Sequence, residues 1–280
     1  MAEYANPEVL VDTEWVSQHS RDRNVRLVEV DVDTTAYEQG HIARAIGWNW
    51  TTQTQDTVRR DILNKEQFEA LMSQSGITKS STLILYGDNN NWFAAYALWM
   101  CKIYGHKDAR LMNGGRRKWL GEGRPTTTNV PNRRPTSYRA SRPNLSLRAS
   151  WRTVHSNLGK PIVALVDVRS PAEFTGEIMA PPGLMETAQR AGHIPGAANI
   201  PWGQAVREDG AFKSADELRA LYAGKGVTGD KQVVAYCRIG ERSSHSWFVL
   251  KYLLGYPNVS NYDGSWTEWG SMVGNPIEKP

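Results

Sequence analysis

Cysteine is scarce in this sequence: only Cys101 and Cys237 occur among 280 residues. Two isolated cysteines cannot form a disulfide framework or a cysteine-based zinc site, so the sequence predicts neither. A chain without disulfides is typical of a reducing compartment, and we expect a cytoplasmic protein that needs no metal and no organic cofactor.

Long apolar runs and dense blocks of one charge are also missing. The longest apolar run, from Trp92 to Cys101, is too short to cross a bilayer, and the first residues lack the pattern of a secretory signal. Lys and Arg number 33 against 29 Asp and Glu, a net charge of +4 without a basic cluster. We therefore expect no membrane and no nucleic acid as partner, whereas small anionic substrates suit the slight basic excess.

The sequence contains an internal repeat. LVEVD at residues 27–31 matches LVDVR at 165–169, and GHI at 40–42 matches GHI at 192–194. From Ala70 onward the two copies keep a constant offset of 150 residues, through Tyr86 and Tyr236 to Trp119 and Trp269. Matches held in register over this length indicate duplication, and the second copy carries an inserted loop at about 177–191.

Each copy alternates strands with helices, which predicts an α/β fold of tandem domains, each a parallel sheet with helices on both faces. The Pro- and Arg-rich stretch between the copies is typical of a linker. The predicted boundaries are a non-catalytic domain at 1–125, a linker at 126–144 and a catalytic domain at 145–280. The predicted strands are 26–30, 82–86, 109–112, 162–168, 232–236 and 259–262, and the predicted helices are 65–73, 92–104, 216–222 and 244–254.

One loop of the second copy carries reactive chemistry. Cys237 follows an apolar strand and precedes a helix, and the sequence between them reads RIGE before Arg242. Such a loop can direct several backbone N–H groups at one sulfur, and a helix N-terminus and two arginines would add positive charge. We therefore expect a thiolate whose pKa lies below that of a free cysteine, in a site that binds anions.

The repeat is broken at this same place. Gly87 stands opposite Cys237 in the first copy, and DNNNW at residues 88–92 stands opposite RIGER at 238–242. The first copy keeps the strand and the helix but has neither nucleophile nor cations. One catalytic and one scaffolding domain explain this difference best.

The motifs resemble those of the rhodanese family in its two-domain thiosulfate sulfurtransferase form, over residues from about 11 to 276. The match includes LVDVR at 165–169, GHIPGA at 192–197 and YDGSW at 262–266, and the loop reads CRIGERS, as in actinobacterial-type members. The resemblance implies that Cys237 accepts sulfur and that Arg242 contacts an anionic donor. A second substrate-contacting arginine of better-known members falls at Glu173 here, and Arg190 in the inserted loop is a candidate replacement.

This resemblance implies transfer of the outer sulfur of thiosulfate to cyanide, a small thiol or a thioredoxin-like protein through a persulfide on Cys237. We expect the loop around the sulfur to bind the donor, with support from residues elsewhere in the second copy. The predicted substrate-binding residues are Arg238, Ile239, Gly240, Glu241 and Arg242, and the supporting residues are Asp167, Arg169 and Arg190.

Three other activities fit parts of the pattern. A cysteine phosphatase or arsenate reductase also uses a cysteine with an arginine, but in cysteine phosphatases that arginine lies six residues after the cysteine, where this chain has Ser243. A module that carries sulfur without catalysis would keep the same loop. A 3-mercaptopyruvate sulfurtransferase would favour a nearly neutral loop, whereas Arg238 and Arg242 against Glu241 give +1 and favour the thiosulfate dianion.

Overall fold

Two parallel β-sheets account for the repeat in the sequence. The computed structural model describes residues 3–183 and 188–280, so the middle of the inserted loop predicted at 177–191 lies outside the described residues. The first sheet has the strand order β1-β5-β4-β2-β3 and the second the order β7-β6-β8-β9. These strands are β1 Leu10–Val11, β2 Val25–Asp31, β3 Ile46–Asn49, β4 Thr82–Tyr86, β5 Ala109–Met112, β6 Val163–Asp167, β7 Ala198–Asn199, β8 Gln232–Tyr236 and β9 Val259–Tyr262.

Helices flank both sheets, which confirms the predicted fold class of tandem α/β domains. Those of the first half are α1 Thr13–His19, α2 Thr35–Gln39, α3 Trp50–Gln53, α4 Lys65–Gln74, α5 Trp92–Ile103 and α6 Gly115–Gly121. Those of the second half are α7 Trp151–Ser156, α8 Pro171–Thr175, α9 Ala215–Ala223, α10 Glu241–Phe248 and α11 Ser265–Trp269. Short 3₁₀ turns lie at Pro7–Val9, Asn89–Asn91, Leu145–Leu147 and Trp202–Ala205.

Local sequence sets several of these helix starts. Asn64, Ser170 and Ser214 are the N-cap residues of α4, α8 and α9, each in a capping box with the Gln or Glu three residues later. In this motif the side chain of the first residue accepts a backbone N–H and the later side chain accepts an N–H in return. The box at Ser170 also fixes where Glu173 points, which matters for the site.

The helix after β8 is buried along its whole length. Every residue of α10 is buried, and the helix continues into one π-helical turn at Val249–Leu253. The sequence predicted a helix at 244–254, whereas α10 begins three residues earlier, immediately after the loop. Its N-terminus therefore lies closer to the cysteine than the prediction placed it.

Strand register brings the ends of three strands of the second sheet together. Tyr236 of β8 pairs with Asp167 of β6 on one side and with Tyr262 of β9 on the other. All strands are parallel, so Cys237, which follows Tyr236, lies at the carboxyl edge of the sheet. Sites in such sheets form at this edge.

The two compact units do not coincide with the two halves of the sequence. One unit holds the first sheet with Glu8–Asn144 and Glu208–Phe212, and the other holds the second sheet, Leu145–Arg207, Lys213–Pro280 and the chain up to Pro7. In the first unit Lys118 forms an ion pair with Asp209 at 2.5 Å. In the second unit the backbone N–H of Ala5 donates to Leu253 O at 2.9 Å.

The stretch predicted as a linker at 126–144 belongs to the first unit. Its backbone bridges to that unit where Thr127 pairs with His41, and Tyr138 is buried. Each unit has its own apolar core around its sheet. Within the described ranges 3–183 and 188–280, no helix combines the length and the hydrophobicity that a bilayer crossing needs.

Candidate active site

The cysteine loop is a tight turn from strand to helix. β8 ends at Tyr236, Cys237 follows, and α10 begins after Gly240, whose φ is +104°. A Cβ on Gly240 would lie 2.8 Å from the Cα and Cβ of Asp263. Both the left-handed backbone and the close approach require glycine here.

A second segment, just after β9, holds the loop in place. The backbone N–H of Cys237 donates to Ser265 Oγ at 3.0 Å, and this hydroxyl donates to Tyr262 O at 2.6 Å. Thr267 donates its N–H at 3.0 Å and its hydroxyl at 2.8 Å to Arg238 O. These bonds satisfy buried loop groups and fix the sulfur relative to the sheet.

The sulfur lies among donors and one carboxylate. The Gly240 N–H donates to Cys237 Sγ at 3.1 Å, and Glu241 Oε2 lies 3.3 Å from the same sulfur. The Cys237 side chain is completely buried. One backbone N–H of the loop, that of Gly240, therefore points at the sulfur.

The predicted lowering of the thiol pKa is wrong for this arrangement. Burial raises the pKa of the Cys237 thiol, and the negative charge of Glu241 raises it further. Arg242 and the hydroxyl and N–H of Ser243 lower this pKa, but their combined effect is smaller. These surroundings therefore favour the thiol over the thiolate, because removing a charged sulfur from water costs more free energy than the nearby donors return.

Arg242 forms a buried ion pair with a residue of α8. Its two terminal nitrogens lie 2.9 and 3.0 Å from the two carboxylate oxygens of Glu173, a bidentate geometry. Burial alone would raise the pKa of Glu173, but hydrogen bonds and charge from Arg242 outweigh burial and lower it. Glu173, at the position where better-known family members have a second arginine, is thus the partner of Arg242. Contact of Arg242 with the sulfur donor stays a prediction.

Glu173 changes the charge of the site. The sequence count took Arg238 and Arg242 against Glu241 and gave +1. With Glu173 included, the formal sum is zero, because Glu173 lies within hydrogen-bond distance of Arg242. The charge argument for a dianionic donor therefore loses its basis.

The remaining loop residues are almost as buried as the cysteine. Arg238 is 8% exposed and Ile239 is 2% exposed. One terminal nitrogen of Arg238 lies 3.9 Å from Glu241 Oε1, and Arg242 Nε lies 3.7 Å from the same oxygen. Glu241 thus lies between the sulfur and the two arginines.

Asp167 and Arg169 form a second buried ion pair. Their closest atoms are 2.6 Å apart, and Arg169 also donates to Gly192 O at 2.8 Å. The guanidinium stacks on the Trp266 ring, 4.6 Å from its centroid. This pair joins the end of β6 to the GHI segment and to α11.

Arg190 is committed to the C-terminal segment. Its guanidinium donates at 3.1 Å to both Gly270 O and Asn275 O, and also to Met272 O. Its own carbonyl accepts from the Trp266 indole at 3.0 Å. Arg190 thus ties the end of the inserted loop to the C-terminal segment.

Sequence reasoning missed two serines of the site. Ser243 entered only as the residue at the phosphatase arginine position, yet it lowers the pKa of the Cys237 thiol. Ser265 belongs to the YDGSW motif, has a positive φ of 54° and holds the Cys237 N–H. The motif was the available signal, but nothing local in sequence links it to Cys237.

Three histidines and the second cysteine are packed into the interior of the fold. His41 stacks on Tyr37 and bonds Tyr37 O at 2.8 Å, and His193 stacks on Phe174 and bonds Phe174 O at 2.8 Å. Burial lowers the pKa of His245 to about 3 and raises that of Cys101 to about 12. The described residues hold no group of three or more His, Cys, Asp or Glu suited to a metal ion.

The matching loop of the first unit is closed by its own side chains. Three successive asparagines, Asn89–Asn91, have positive φ values. Asn91 Oδ1 accepts the Gly87 N–H at 3.0 Å, and its amide nitrogen donates to Met112 O at 2.8 Å. The N–H that follows β4 is therefore satisfied internally.

Comparison with known proteins identifies relatives over nearly the full length. A family profile described as the Rhodanese-like domain matches residues 12–122 and 150–272. A protein of Haloferax volcanii, provisionally named thiosulfate sulfurtransferase, is 56% identical over 99% of this chain and 98% of its own. The sulfur carrier protein TtuD of Thermus thermophilus is 56% identical with the same coverage, and a provisionally named thiosulfate sulfurtransferase of Mycolicibacterium smegmatis is 53% identical over 98% of this chain and 99% of its own.

Solved structures share the fold. The crystal structure of YnjE superposes with a TM-score of 0.89 at 24% identity, over all of this chain and 70% of that one. Wild-type EanB superposes with a TM-score of 0.85 at 25% identity, over all of this chain and 71% of that one.

Proposed function

Since this chain belongs to the rhodanese-like family and is a sulfurtransferase, we propose that it transfers the outer sulfur of thiosulfate through a persulfide on Cys237. The observation that carries this proposal is the Gly240 N–H at 3.1 Å from a cysteine sulfur at the carboxyl edge of the sheet. A nucleophile with an N–H donor beside it fits the capture of a sulfur that becomes anionic.

The first half-reaction follows from this geometry. Cys237 Sγ attacks the outer sulfur of thiosulfate, the bond between the two sulfurs of thiosulfate breaks, and sulfite leaves with the bonding electron pair. The terminal sulfur of the persulfide is anionic. The Gly240 N–H, which lies 3.1 Å from Sγ, is the donor nearest that charge, in surroundings from which water is largely excluded.

In the second half-reaction a nucleophile removes the terminal sulfur and restores Cys237. Cyanide serves in the assay, and a small thiol or a thioredoxin-like protein serves as acceptor in the cell. The sulfur moves without a net change in the oxidation state of Cys237, so no organic cofactor or metal takes part in this proposal.

Thiosulfate remains the proposed donor, now on different grounds. The zero formal charge of Arg238, Arg242, Glu241 and Glu173 does not favour a dianion over 3-mercaptopyruvate. Support comes instead from relatives at 53–56% identity whose provisional names specify thiosulfate. Steady-state kinetics with both donors at one cyanide concentration tests this choice: a higher kcat/KM for 3-mercaptopyruvate would overturn it.

A sulfur carrier is the second candidate, because TtuD is 56% identical and is named for that role. A carrier loads one sulfur per chain and passes it to a protein, whereas an enzyme turns over many times with a small acceptor. Sulfite release in excess of the protein concentration, measured with and without cyanide, distinguishes the two.

The central test is removal of the sulfur. We expect Cys237→Ser to abolish transfer while the chain stays folded, because a neutral hydroxyl is a poor acceptor of sulfane sulfur. Intact-mass spectrometry after thiosulfate should find one added sulfur on the unmodified protein and none on this variant. Cys101→Ser is the matched control, since Cys101 lies buried in α5 of the first unit, and it should load normally. Loading that depends on Cys101 rather than Cys237 would contradict the proposal.

A further inference from the structure

Glu241 is the carboxylate that lies against the reactive sulfur. Its Oε2 is 3.3 Å from Cys237 Sγ, with the thiol as donor, and its side chain is 3% exposed. Its other oxygen lies 3.9 Å from Arg238 and 3.7 Å from Arg242, both beyond hydrogen-bond length. The short contact of this side chain is therefore with the thiol proton.

Most other charged groups around the loop are matched with partners. Those on neighbouring elements are Glu173 with Arg242, Asp167 with Arg169 and Asp263 with Arg148, and the neutral phenols are Tyr236 and Tyr262. Glu268 of α11 is exposed and acts on the Tyr262 phenol. On α10 itself His245 is buried and neutral, because burial lowers its pKa to about 3. In the described part of the chain, Glu241 is thus the carboxylate placed to take a proton from Sγ.

A buried thiol cannot simply lose its proton to water. Cys237 is buried and burial raises its pKa, while Glu241 Oε2 lies 3.3 Å from Sγ, so the thiol proton has an acceptor within hydrogen-bond distance. A carboxylate that is hydrogen-bonded to the thiol is such an acceptor, because the proton then moves only from the sulfur to the neighbouring oxygen.

We propose that Glu241 is a catalytic residue that accepts the proton of Cys237 as the sulfur attacks its donor, and then, as a neutral acid, donates a hydrogen bond to the persulfide. This inference rests on the proposed function, because it concerns the first half-reaction of that mechanism. It assigns Glu241 to proton transfer instead of substrate binding.

Atoms and charges balance in this scheme. The proton moves from Sγ to Glu241 Oε2, Sγ bonds to the outer sulfur, and sulfite leaves as a dianion with the electron pair of the broken bond. Before the reaction Arg238 and Arg242 balance Glu173 and Glu241, beside a neutral thiol. Afterwards Glu241 is neutral and the persulfide carries one negative charge, so the formal sum around the sulfur is again zero. One dianion enters and one leaves, and no further reactant is needed.

The test compares Glu241→Gln with the unmodified full-length chain by single-turnover sulfite release between pH 6 and pH 9. Glutamine keeps the size of the side chain but cannot accept the proton. We expect loading at pH 7 to slow by about 10²–10⁴-fold, the usual contribution of a positioned proton acceptor. We also expect the deficit to shrink as pH rises, because hydroxide then ionises the thiol without help.

A purely electrostatic role predicts the opposite result. If Glu241 only repels the anionic donor and raises the thiol pKa, Glu241→Gln should load faster at pH 7 and Cys237 should react with iodoacetamide at lower pH. Faster or unchanged loading would therefore overturn the proposal. Glu241→Asp keeps a carboxylate, so partial recovery of the pH 7 rate relative to Glu241→Gln is expected, and a rate as low as that of Glu241→Gln would count against it.

Two controls separate folding and function from this effect. Asp216→Asn changes an exposed carboxylate on α9, far along the chain from the loop, and should load at the normal rate. If Glu241→Gln unfolds, the ratio of Glu241→Asp to unmodified rates across pH decides: a uniform ratio overturns the proposal, and a deficit largest at low pH supports it. Failure of the unmodified chain to load any sulfur from thiosulfate would instead reject the proposed function.

Discussion

At the scale of single side chains, two glutamates decide which charge a donor meets beside Cys237. Glu173 accepts hydrogen bonds from both terminal nitrogens of Arg242, and Glu241 lies between the sulfur and the two arginines of the loop. A buried ion pair of this kind contributes little by itself, but leaving one partner alone in the interior is costly. Variants of Arg242 will therefore report stability and activity together unless Glu173 is changed as well.

This pairing yields a prediction for Arg242. Arg242→Ala should destabilise the chain by about 3–5 kcal/mol, because it leaves the Glu173 carboxylate buried without a partner. Adding Glu173→Gln should recover part of that loss in urea unfolding, since no buried charge remains, while sulfite release stays slow. Arg242→Lys should be intermediate in stability and in the rate of sulfite release, because lysine keeps the charge but lacks the planar guanidinium that binds both carboxylate oxygens. A double variant as unstable as Arg242→Ala would show that the pair is not what sets the cost.

Single residues were only partly predictable from the sequence. Cys237 and its loop were recognisable because the relevant residues are contiguous. The partner of Arg242 was not, because Glu173 lies 69 residues away and reaches it only through the start of α8. The predicted direction of the thiol pKa shift was wrong for a related reason. The sequence shows the nearby cations and the helix start, but it does not show that the sulfur is completely buried.

At the scale of elements, the turn from β8 to α10 depends on one glycine. Gly240 has a left-handed φ and lies against the backbone of Asp263, and its N–H points at the sulfur. A side chain there would have to move either the loop or the segment after β9. The N–H donor would move with the loop.

We therefore predict that Gly240→Ala slows sulfur loading. It should also lower the free energy of unfolding by more than a positive φ alone costs a residue with a Cβ. The matched control is Gly196→Ala, whose φ is +74° with no atom within 4 Å of the added Cβ. The control should lose only about 1–2 kcal/mol, the cost of a left-handed backbone for a residue with Cβ. Urea unfolding and single-turnover sulfite release measure both effects, and equal losses in the two variants would argue against the close approach to Asp263.

Strands were easier to predict than the ends of helices. The predicted strands at 82–86, 109–112, 232–236 and 259–262 have the observed limits, because turn residues bound each of them and most of their side chains are buried. The helix predicted at 244–254 was displaced because its first turn, Glu241 to Ser243, is polar in sequence yet buried in the fold. Burial of polar groups around a site is a tertiary effect that periodicity does not reveal.

At the scale of the whole molecule, the two units differ in how the buried charged residues at the end of one matching strand are neutralised. The second unit pairs Asp167 with Arg169 at the end of β6. The first unit has Glu29 and Asp31 at the matching positions, and Arg116 pairs with Glu29 at 2.7 Å. Burial, together with Asp88, raises the pKa of Asp31 to about 9, so this carboxyl is neutral in the folded chain near pH 7.

Asp31 should therefore make stability depend on pH. Its pKa rises on folding from an ordinary 3.8, so the folded state holds a proton that the unfolded state has lost. Stability is fully retained below about pH 4 and falls as pH rises toward 9. Asp31→Asn removes this dependence, and its unfolding free energy should exceed that of the unmodified chain by a margin that grows between pH 5 and pH 8. Asp22→Asn, an exposed change in the same unit, should show no such trend. A constant margin for Asp31→Asn would contradict the assignment.

The exchange of short segments between the two halves also has a consequence during synthesis. The first unit includes Glu208–Phe212, where Asp209 meets Lys118 and the Phe212 N–H donates to Asn113 Oδ1 at 2.9 Å. A ribosome adding about 5–20 residues per second needs about 3–13 s to translate the 63 residues between Asn144 and Glu208. The hydrogen bond from the Ala5 N–H to Leu253 O can form only later, after Leu253 has left the exit tunnel. The first unit therefore emerges incomplete, and neither unit reaches its final set of contacts until most of the chain has been translated.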